Sequence, residues 1–178
     1  VTVKAITAKD GIVIGEPESM DAVLHKARGA KISVDPEPTG KYSANGASTL
    51  VDTDFGGAKW ANGRWLGILS NDFVTTIEFD NLTEVSKTGF NCIEETGAGI
   101  YFPESIEVSV SNDGQNYRQM NTWQTDRQLP IEITSDIKVK TIWVEFEKTN
   151  CKFLKVKCNY QRGTNSGVFV FADEIVVE

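Results

Sequence analysis

Hydrophobic and polar residues alternate one by one along most of this chain, which is the period of a β-strand. Alternating or short apolar runs occupy residues 30–34, 73–79, 106–110, 142–146, 154–156, 168–171 and 175–177. Clusters of turn-forming residues separate these runs, as at Asn112-Asp113-Gly114. Only residues 20–28 could form a short helix. The helices that would connect successive strands of a parallel sheet are therefore missing from the pattern. The pattern therefore predicts an all-β sandwich or barrel of antiparallel strands.

A change of pattern near Arg28-Gly29 predicts a domain boundary. Before it, two short runs at residues 1–8 and 11–16 suggest a hairpin, and a two-stranded hairpin is only marginally stable alone. We therefore interpret residues 1–28 as the final strands of a preceding small β-module or as a linker, and residues 29–178 as one β-sandwich domain. The chain begins in the middle of a strand pattern, as expected of a fragment.

Composition and charge exclude several kinds of partner. The formal net charge is −7, and the basic residues are scattered, which argues against nucleic acid and anionic membranes. No apolar stretch reaches the roughly 20 residues needed for membrane insertion. The three cysteines, Cys92, Cys151 and Cys158, lack zinc-site spacing, and Cys151 and Cys158 are too far apart on one strand for a disulfide. We predict buried free thiols.

No catalytic set stands out in the sequence. The single histidine, His25, lies in the stretch before the predicted boundary, and no nucleophile or nucleotide-binding motif is present. Two adjacent carboxylate pairs, Glu94-Glu95 and Asp173-Glu174, point to opposite faces of their strands and are poor partners across one sugar bond. We expect both pairs to be solvated or to bind a metal, and we predict no catalytic residue.

A Gly-rich loop carries two carboxylates, Asp52 and Asp54, followed by Gly56 and Gly57. Carboxylates at this spacing, together with freed backbone carbonyls, can bind a hard cation such as calcium. The same spacing also suits an ordinary turn in which Asp caps its own backbone. Spacing alone leaves both interpretations open.

Four segments in order resemble the discoidin family, also called the coagulation factor 5/8 type C domain. They are residues 47–68 (with ASTLVD, GGAKW and GRWLGI), 102–117 (FPESIEVSVSNDGQNY), 151–157 (CKFLKVK) and 171–177 (FADEIVV). The resemblance covers residues 29–178 and implies a discoidin-type jelly-roll β-sandwich of antiparallel strands. It points to family 32 carbohydrate-binding modules and their structural calcium. Carried over to this chain, the calcium ligands would be side-chain oxygens of Asp52, Asp54 and Glu174 and backbone oxygens of Thr49, Gly57 and Asp173.

In such modules the sugar meets loops at one end of the sandwich. Sugar recognition requires an exposed aromatic face ringed by hydrogen-bonding groups. Among the loop residues we favour Tyr160 and Arg162. The other candidates are Asn62, Arg64, Trp65, Tyr101 and Arg127. Trp60 and Trp65 could instead pack in the core.

Residues 3–5 and 23–29 resemble the join between a small β-domain and a discoidin domain in bacterial chitobiases and other β-hexosaminidases. This implies a catalytic domain elsewhere in the same polypeptide, a secreted, periplasmic or cell-surface location, and glycan partners containing N-acetylhexosamine or galactose. The chain itself would be a non-catalytic carbohydrate-binding accessory domain. The alternatives are a structural spacer that packs on the catalytic domain without binding sugar and, less favoured by the acidic charge, an adhesion module for protein or phospholipid.

Overall fold

The computed structural model describes residues 2–16, 18–21, 24–163 and 167–178. The strands in this part of the chain are β1 (Thr2–Ala5), β2 (Ala8–Lys9), β3 (Ile12–Val13), β4 (Glu18–Asp21), β5 (Lys31–Asp35), β6 (Leu66–Leu69), β7 (Phe73–Glu94), β8 (Ser105–Ser111), β9 (Arg118–Gln124), β10 (Lys138–Asn159) and β11 (Phe169–Val177). Short 3-10 turns lie at Gly40–Tyr42, Gly46–Val51 and Thr96–Ala98. Within these ranges no helix is long and apolar enough to cross a membrane. The short helix allowed over residues 20–28 is not formed by the described residues, because Met20 belongs to β4 and residues 26–29 form a turn.

Two strands of 22 residues, β7 and β10, organise the sandwich. They pair with each other antiparallel along most of their length, and the register shifts between Glu145 and Thr149 and again between Cys151 and Phe153. The first part of β7 also pairs with β5, and the second part pairs with β11. The late part of β10 pairs with β8, which in turn pairs with β9. The two long strands therefore take part in two leaves, β5-β7-β10-β8-β9 and β6-β11-β7-β10.

The core lies between these leaves. One cluster of buried side chains includes Ile77, Val108 and Leu154 from the first leaf and Phe90 and Ile175 from the second. All five side chains are at least nine-tenths buried, and alternate residues of each strand supply them. The antiparallel all-β sandwich predicted from the alternation is confirmed. The predicted buried free thiols at Cys92, Cys151 and Cys158 are confirmed as well.

The N-terminal part contains two small antiparallel pairs, β1 with β4 and β2 with β3. The turn between β2 and β3 is made by Asp10 and Gly11, both in the left-handed conformation that such a tight turn requires. The segment that follows packs on the sandwich: Ala27 is fully buried in the core, and the Lys26 N–H donates to the Val177 carbonyl at 2.9 Å. The division of the chain near residue 28 stays a prediction.

Candidate functional site

The pairing registers place several loops at one end of the sandwich. Phe73 pairs with Cys158 and Ser105 pairs with Asn159, so that the loops before β7, before β8 and after β10 meet there. We call this the loop end. Because β7 and β10 run away from this end and return in the other leaf, the loop after β7 also lies there.

A cleft of about 280 Å³ opens beside the loop end, and we call it the Trp60 cleft. Its lining residues are Lys41, Tyr42, Trp60, Ala61, Gly63 and Trp65. The Tyr42 and Trp60 rings are half-buried and stand edge to face with centroids 6.1 Å apart. The Trp60 indole N–H donates to the Glu95 carboxylate at 2.5 Å, which fixes the ring at the mouth. The cleft thus combines two half-buried aromatic rings with the exposed Lys41 ammonium, and the Glu95 carboxylate lies beside it, bonded to the Trp60 indole.

The local sequence explains why this cleft forms. Phe171 packs under both rings, 4.9 Å from Tyr42 and 6.0 Å from Trp60 between centroids. Gly67 permits this packing, because a Cβ there would lie 2.8 Å from the Phe171 ring and 3.0 Å from the Tyr42 Cβ. The Gly67 carbonyl also accepts the Thr39 N–H, which anchors the turn that carries Tyr42. The aromatic pair is therefore held by the buried edge strand β6 and the last strand β11.

Three predicted sugar-binding residues belong to the chain segment that borders this cleft. Asn62 is exposed, and its side chain is engaged at both ends: its Nδ2 donates to the Gly56 carbonyl at 2.7 Å, and its Oδ1 accepts the Arg64 N–H at 3.0 Å. The Arg64 guanidinium is half exposed and pairs with Asp54 at 3.1 Å. Trp65 lines the cleft but is only 1% exposed. The prediction that Trp65 offers a ring face to a sugar is corrected, because its ring is part of the packed aromatic core.

The favoured pair, Tyr160 and Arg162, lies at the loop end and forms its own cluster. The Arg162 guanidinium sits 4.7 Å from the Tyr160 ring centroid and pairs with Asp72 at 2.5 Å and Glu104 at 3.5 Å. Two carboxylates therefore already occupy this cation, and the cation covers one face of the half-buried ring. The pair remains near solvent, since the Arg162 side chain is 49% exposed.

Tyr101 and Arg127 are placed differently from the prediction. Tyr101 is 4% exposed, so its ring is not available as a sugar platform, and the prediction is corrected. The Arg127 guanidinium forms a two-pronged ion pair with the Glu94 carboxylate, which is itself 2% exposed. This pair raises the pKa of Arg127. Arg127 therefore neutralises a buried charge, and its donors toward Glu94 are used within the protein.

The expectation that both carboxylate pairs are solvated or bind a metal is wrong for Glu94. Its chain neighbour Glu95 accepts the Trp60 indole, and Glu94 itself is buried against Arg127. Asp173 and Glu174 lie in the middle of the last strand, β11, and are fully buried. Burial raises the pKa of Asp173 to about 6 and also raises the pKa of Glu174.

Calcium prefers six to eight oxygen ligands at about 2.3–2.6 Å, and the predicted ligands would have to supply them. The Glu174 carboxylate accepts the Thr53 N–H at 2.6 Å and lies 3.1 Å from the His25 Nε2. The Asp173 carboxylate accepts the Gly56 N–H at 2.5 Å and the Asn91 amide at 2.6 Å. Each buried carboxylate oxygen thus already faces an N–H donor.

Three of the remaining predicted ligands, Asp52, Asp54 and the Gly57 carbonyl, also have partners within the protein. Asp52 accepts the Asp54 N–H at 2.8 Å, which is the Asx turn that the spacing also allowed. Asp54 is more than half exposed and paired with Arg64, and the Gly57 carbonyl accepts the Lys59 N–H at 3.0 Å. Gly57 has a left-handed φ of 62°, as a tight loop needs. Among the described residues no group of three or more His, Cys, Asp or Glu could hold a metal ion. The residues in this arrangement do not fit calcium.

Comparisons with solved structures identify proteins of the same fold. The module CpGH89CBM32-5 from Clostridium perfringens, in complex with GalNAc-β-1,3-galactose, is 18% identical with a TM-score of 0.56, covering 86% of this chain and 99% of that one. Chitosan-binding module 1 from the chitosanase/glucanase of Paenibacillus sp. IK-5 is 16% identical with a TM-score of 0.55, covering 88% and 99%. A Ruminococcus gnavus GH29 fucosidase mutant in complex with fucose is 14% identical with a TM-score of 0.55, covering 86% of this chain and 26% of that one. No protein-family model and no curated protein sequence matches the chain.

These likenesses define the class of fold. The chain has the jelly-roll sandwich of the family 32 carbohydrate-binding modules, and the fold that the discoidin resemblance implied is confirmed. At sequence identities of 14–18%, these likenesses show the fold alone.

Sequence reasoning missed the two half-buried rings of the Trp60 cleft. Tyr42 was not singled out, and Trp60 was interpreted mainly as core. The available signal was the family-like segment around Trp60, which placed it at a loop. Its pairing with Tyr42 depends on the approach of residues 39–42 to β6, and no periodic pattern encodes that contact.

Proposed function

We propose that this chain is a non-catalytic carbohydrate-binding domain and that the Trp60 cleft holds the sugar. The observation that carries the proposal is the half-buried Tyr42–Trp60 pair in a cleft beside the loop end. Such a ring can pack on the C–H face of a pyranose, while nearby polar groups bind its hydroxyls. The Glu95 carboxylate and the Lys41 ammonium supply an acceptor and a donor at this position.

The same-fold structures add support at the level of class. CpGH89CBM32-5 is a complex with GalNAc-β-1,3-galactose, and chitosan-binding module 2 of the Paenibacillus chitosanase/glucanase is a complex with chitotriose. Glycans containing N-acetylhexosamine or galactose are therefore the partners that we propose for this chain. Weak binding by such a domain would raise the local concentration of a tethered enzyme's substrate.

The proposal extends to the parent protein. The resemblance of residues 3–5 and 23–29 to chitobiase-type hexosaminidases supports a parent that degrades N-acetylhexosamine glycans outside the cytoplasm. In that protein the catalytic domain would lie elsewhere in the polypeptide.

The spacer function is the second candidate, and a specific surface favours it. Four apolar side chains between residues 129 and 139 are 38–59% exposed. They are Leu129, Ile133, Ile137 and Val139. Exposed apolar residues in one segment are typical of a surface that contacts another domain. This surface and the aromatic cleft do not exclude each other.

A glycan-array screen followed by calorimetric titration with N-acetylglucosamine, N-acetylgalactosamine and galactose tests the proposed function. We expect Trp60→Ala to weaken binding about five- to thirtyfold, because stacking on an aromatic ring contributes on the order of 1–2 kcal/mol. Trp143→Ala is the matched control: Trp143 is a half-buried tryptophan of β10 that contacts Lys87. Its loss should leave binding unchanged.

The variants Tyr160→Ala and Arg162→Ala separate the two candidate clusters. Binding that survives both and is lost in folded Trp60→Ala places the sugar in the Trp60 cleft. Binding lost in the Tyr160 or Arg162 variant alone moves the site to that cluster. No binding to any glycan on the array by folded protein would contradict the carbohydrate-binding function and favour the spacer.

A further inference from the structure

His25 is the only histidine of the chain, and it lies inside the protein against the last strand. Its side chain is 1% exposed, and its Nε2 lies 3.1 Å from the Glu174 Oε1, whose carboxylate is fully buried. Its Nδ1 accepts the Ala27 backbone N–H at 3.3 Å. Because an imidazole nitrogen that accepts a hydrogen bond carries no proton, this contact assigns Nε2 as the nitrogen that donates to Glu174.

The segment that carries His25 is part of the sandwich. The Lys26 N–H donates to the Val177 carbonyl at 2.9 Å, and the Gly29 N–H donates to the Val51 carbonyl at 2.8 Å. Between them, Ala27 is fully buried in the core. The segment therefore joins the last strand to the turn at Gly46–Val51, and it holds the imidazole in a fixed position over Glu174.

Each of the four carboxylate oxygens of Glu174 and Asp173 faces an N–H donor of the protein. Backbone N–H groups of Thr53 and Gly56 point at one oxygen of each carboxylate, and His25 and Asn91 supply the donors to the other oxygens. A divalent ion at these oxygens would meet the positive ends of the N–H dipoles, and the two carboxylates alone do not supply the six to eight oxygen ligands that calcium needs.

We propose that this junction is closed without a metal ion, and that His25 donates to Glu174 where the related fold would be expected to use calcium. The tie connects three segments: residues 25–29, the loop at 53–57 and strand β11. This inference concerns the stability of the sandwich, and it does not depend on sugar binding at the Trp60 cleft.

Nitrogen NMR of the imidazole tests the proposal on the unmodified chain, where a single histidine makes the assignment unambiguous. We expect the neutral tautomer with the proton on Nε2, in slow exchange with water, and no change of either nitrogen resonance on adding millimolar calcium. A proton on Nδ1, or a shift of the imidazole and of the Thr53 and Gly56 amides with calcium, would overturn it.

Thermal unfolding of the full chain in calcium and in EDTA is the second test. We expect the same Tm in both for the wild type. His25→Ala should lower Tm by roughly 5 °C, because it leaves a buried carboxylate oxygen without its donor. His25→Gln, whose amide can donate to Glu174, should recover part of that loss.

Arg64→Ala is the control, since it removes an exposed ion pair with Asp54 in the same loop and should change Tm little. Calcium that raises the wild-type Tm, calorimetric calcium binding by the wild type, or an unchanged Tm in His25→Ala would each overturn the proposal.

Discussion

Single charged residues at the loop end are held by partners within the protein. The Arg127 guanidinium pairs with the buried Glu94 carboxylate through both of its terminal nitrogens, and it also lies 5.6 Å from the Phe102 ring centroid. Glu94 additionally accepts the Phe102 N–H at 3.3 Å. A two-pronged pair of this kind fixes both side chains and helps to order the segment at residues 125–137 (the 125–137 strap), which contains Arg127.

Removing Arg127 should therefore destabilise the domain. Arg127→Ala leaves a buried carboxylate unpaired, which costs about 3 kcal/mol of the free energy of unfolding. Urea unfolding at neutral pH measures this cost. Arg162→Ala is the control: it breaks ion pairs of a side chain that is about half exposed, and it should cost less than about 1 kcal/mol of the free energy of unfolding. Equal effects of the two substitutions would contradict the structural role assigned to Arg127.

The sequence predicted that aromatic residues form the site, but it did not predict which of these side chains are exposed. Trp65 and Trp60 stand in one family-like segment, yet Trp65 is buried under Gly56, where a Cβ would lie 2.3 Å from the indole nitrogen, whereas Trp60 reaches the cleft. Both are tryptophans with a glycine two or three residues away. Which ring faces solvent is decided by contacts with Phe171 and Tyr42, far away in the chain.

At the scale of elements, the turn between β8 and β9 is organised by one carboxylate. Asp113 accepts hydrogen bonds from the Ser111 hydroxyl, from the Gln115 and Asn116 N–H groups, and from the Asn116 side chain. These donors, the Asn116 side chain first, hold the pKa of Asp113 well below its usual range. The predicted Asn112-Asp113-Gly114 turn is confirmed, and its donors favour the ionised carboxylate.

Asp113→Ala should lower stability at neutral pH and have less effect in acid. A carboxyl whose pKa is depressed by folding contributes fully above its unfolded value of about 4, and that contribution is lost as the pH falls through the folded value. Urea unfolding of wild type and variant between neutral pH and pH of about 2 measures the difference. Asp136→Ala, at an exposed carboxylate in the 125–137 strap, serves as the control. A difference between wild type and Asp113→Ala that stays constant across this range would contradict the assignment.

Strand existence followed from alternation, whereas strand length and bending did not. Residues 73–79 and 154–156 were predicted as separate short strands, but each belongs to a strand of 22 residues. Register shifts near Thr149 and Phe153 carry these strands from one leaf to the other. Alternation is a local property, and it breaks at such a shift in the same way as at a real end.

For the whole molecule, the family-like segments predicted the architecture, but they did not predict the contacts that the site residues make. The all-β sandwich agrees with the solved carbohydrate-binding modules. The calcium ligands implied by resemblance instead meet N–H donors, one of them from His25. That histidine lies 149 positions from Glu174, and nothing in its own neighbourhood of the sequence indicates the contact.

The most direct test of sugar binding is NMR of the four tryptophan indoles during titration with glycans from the array. We predict that the Trp60 indole resonance shifts in a saturable way, because its ring lines the cleft and its N–H is bonded to Glu95. The Trp143 indole, on the outer side of β10 beside Lys87, should not move. Saturable binding with an unmoved Trp60 resonance, or no shift of any resonance at high glycan concentration, would contradict the account.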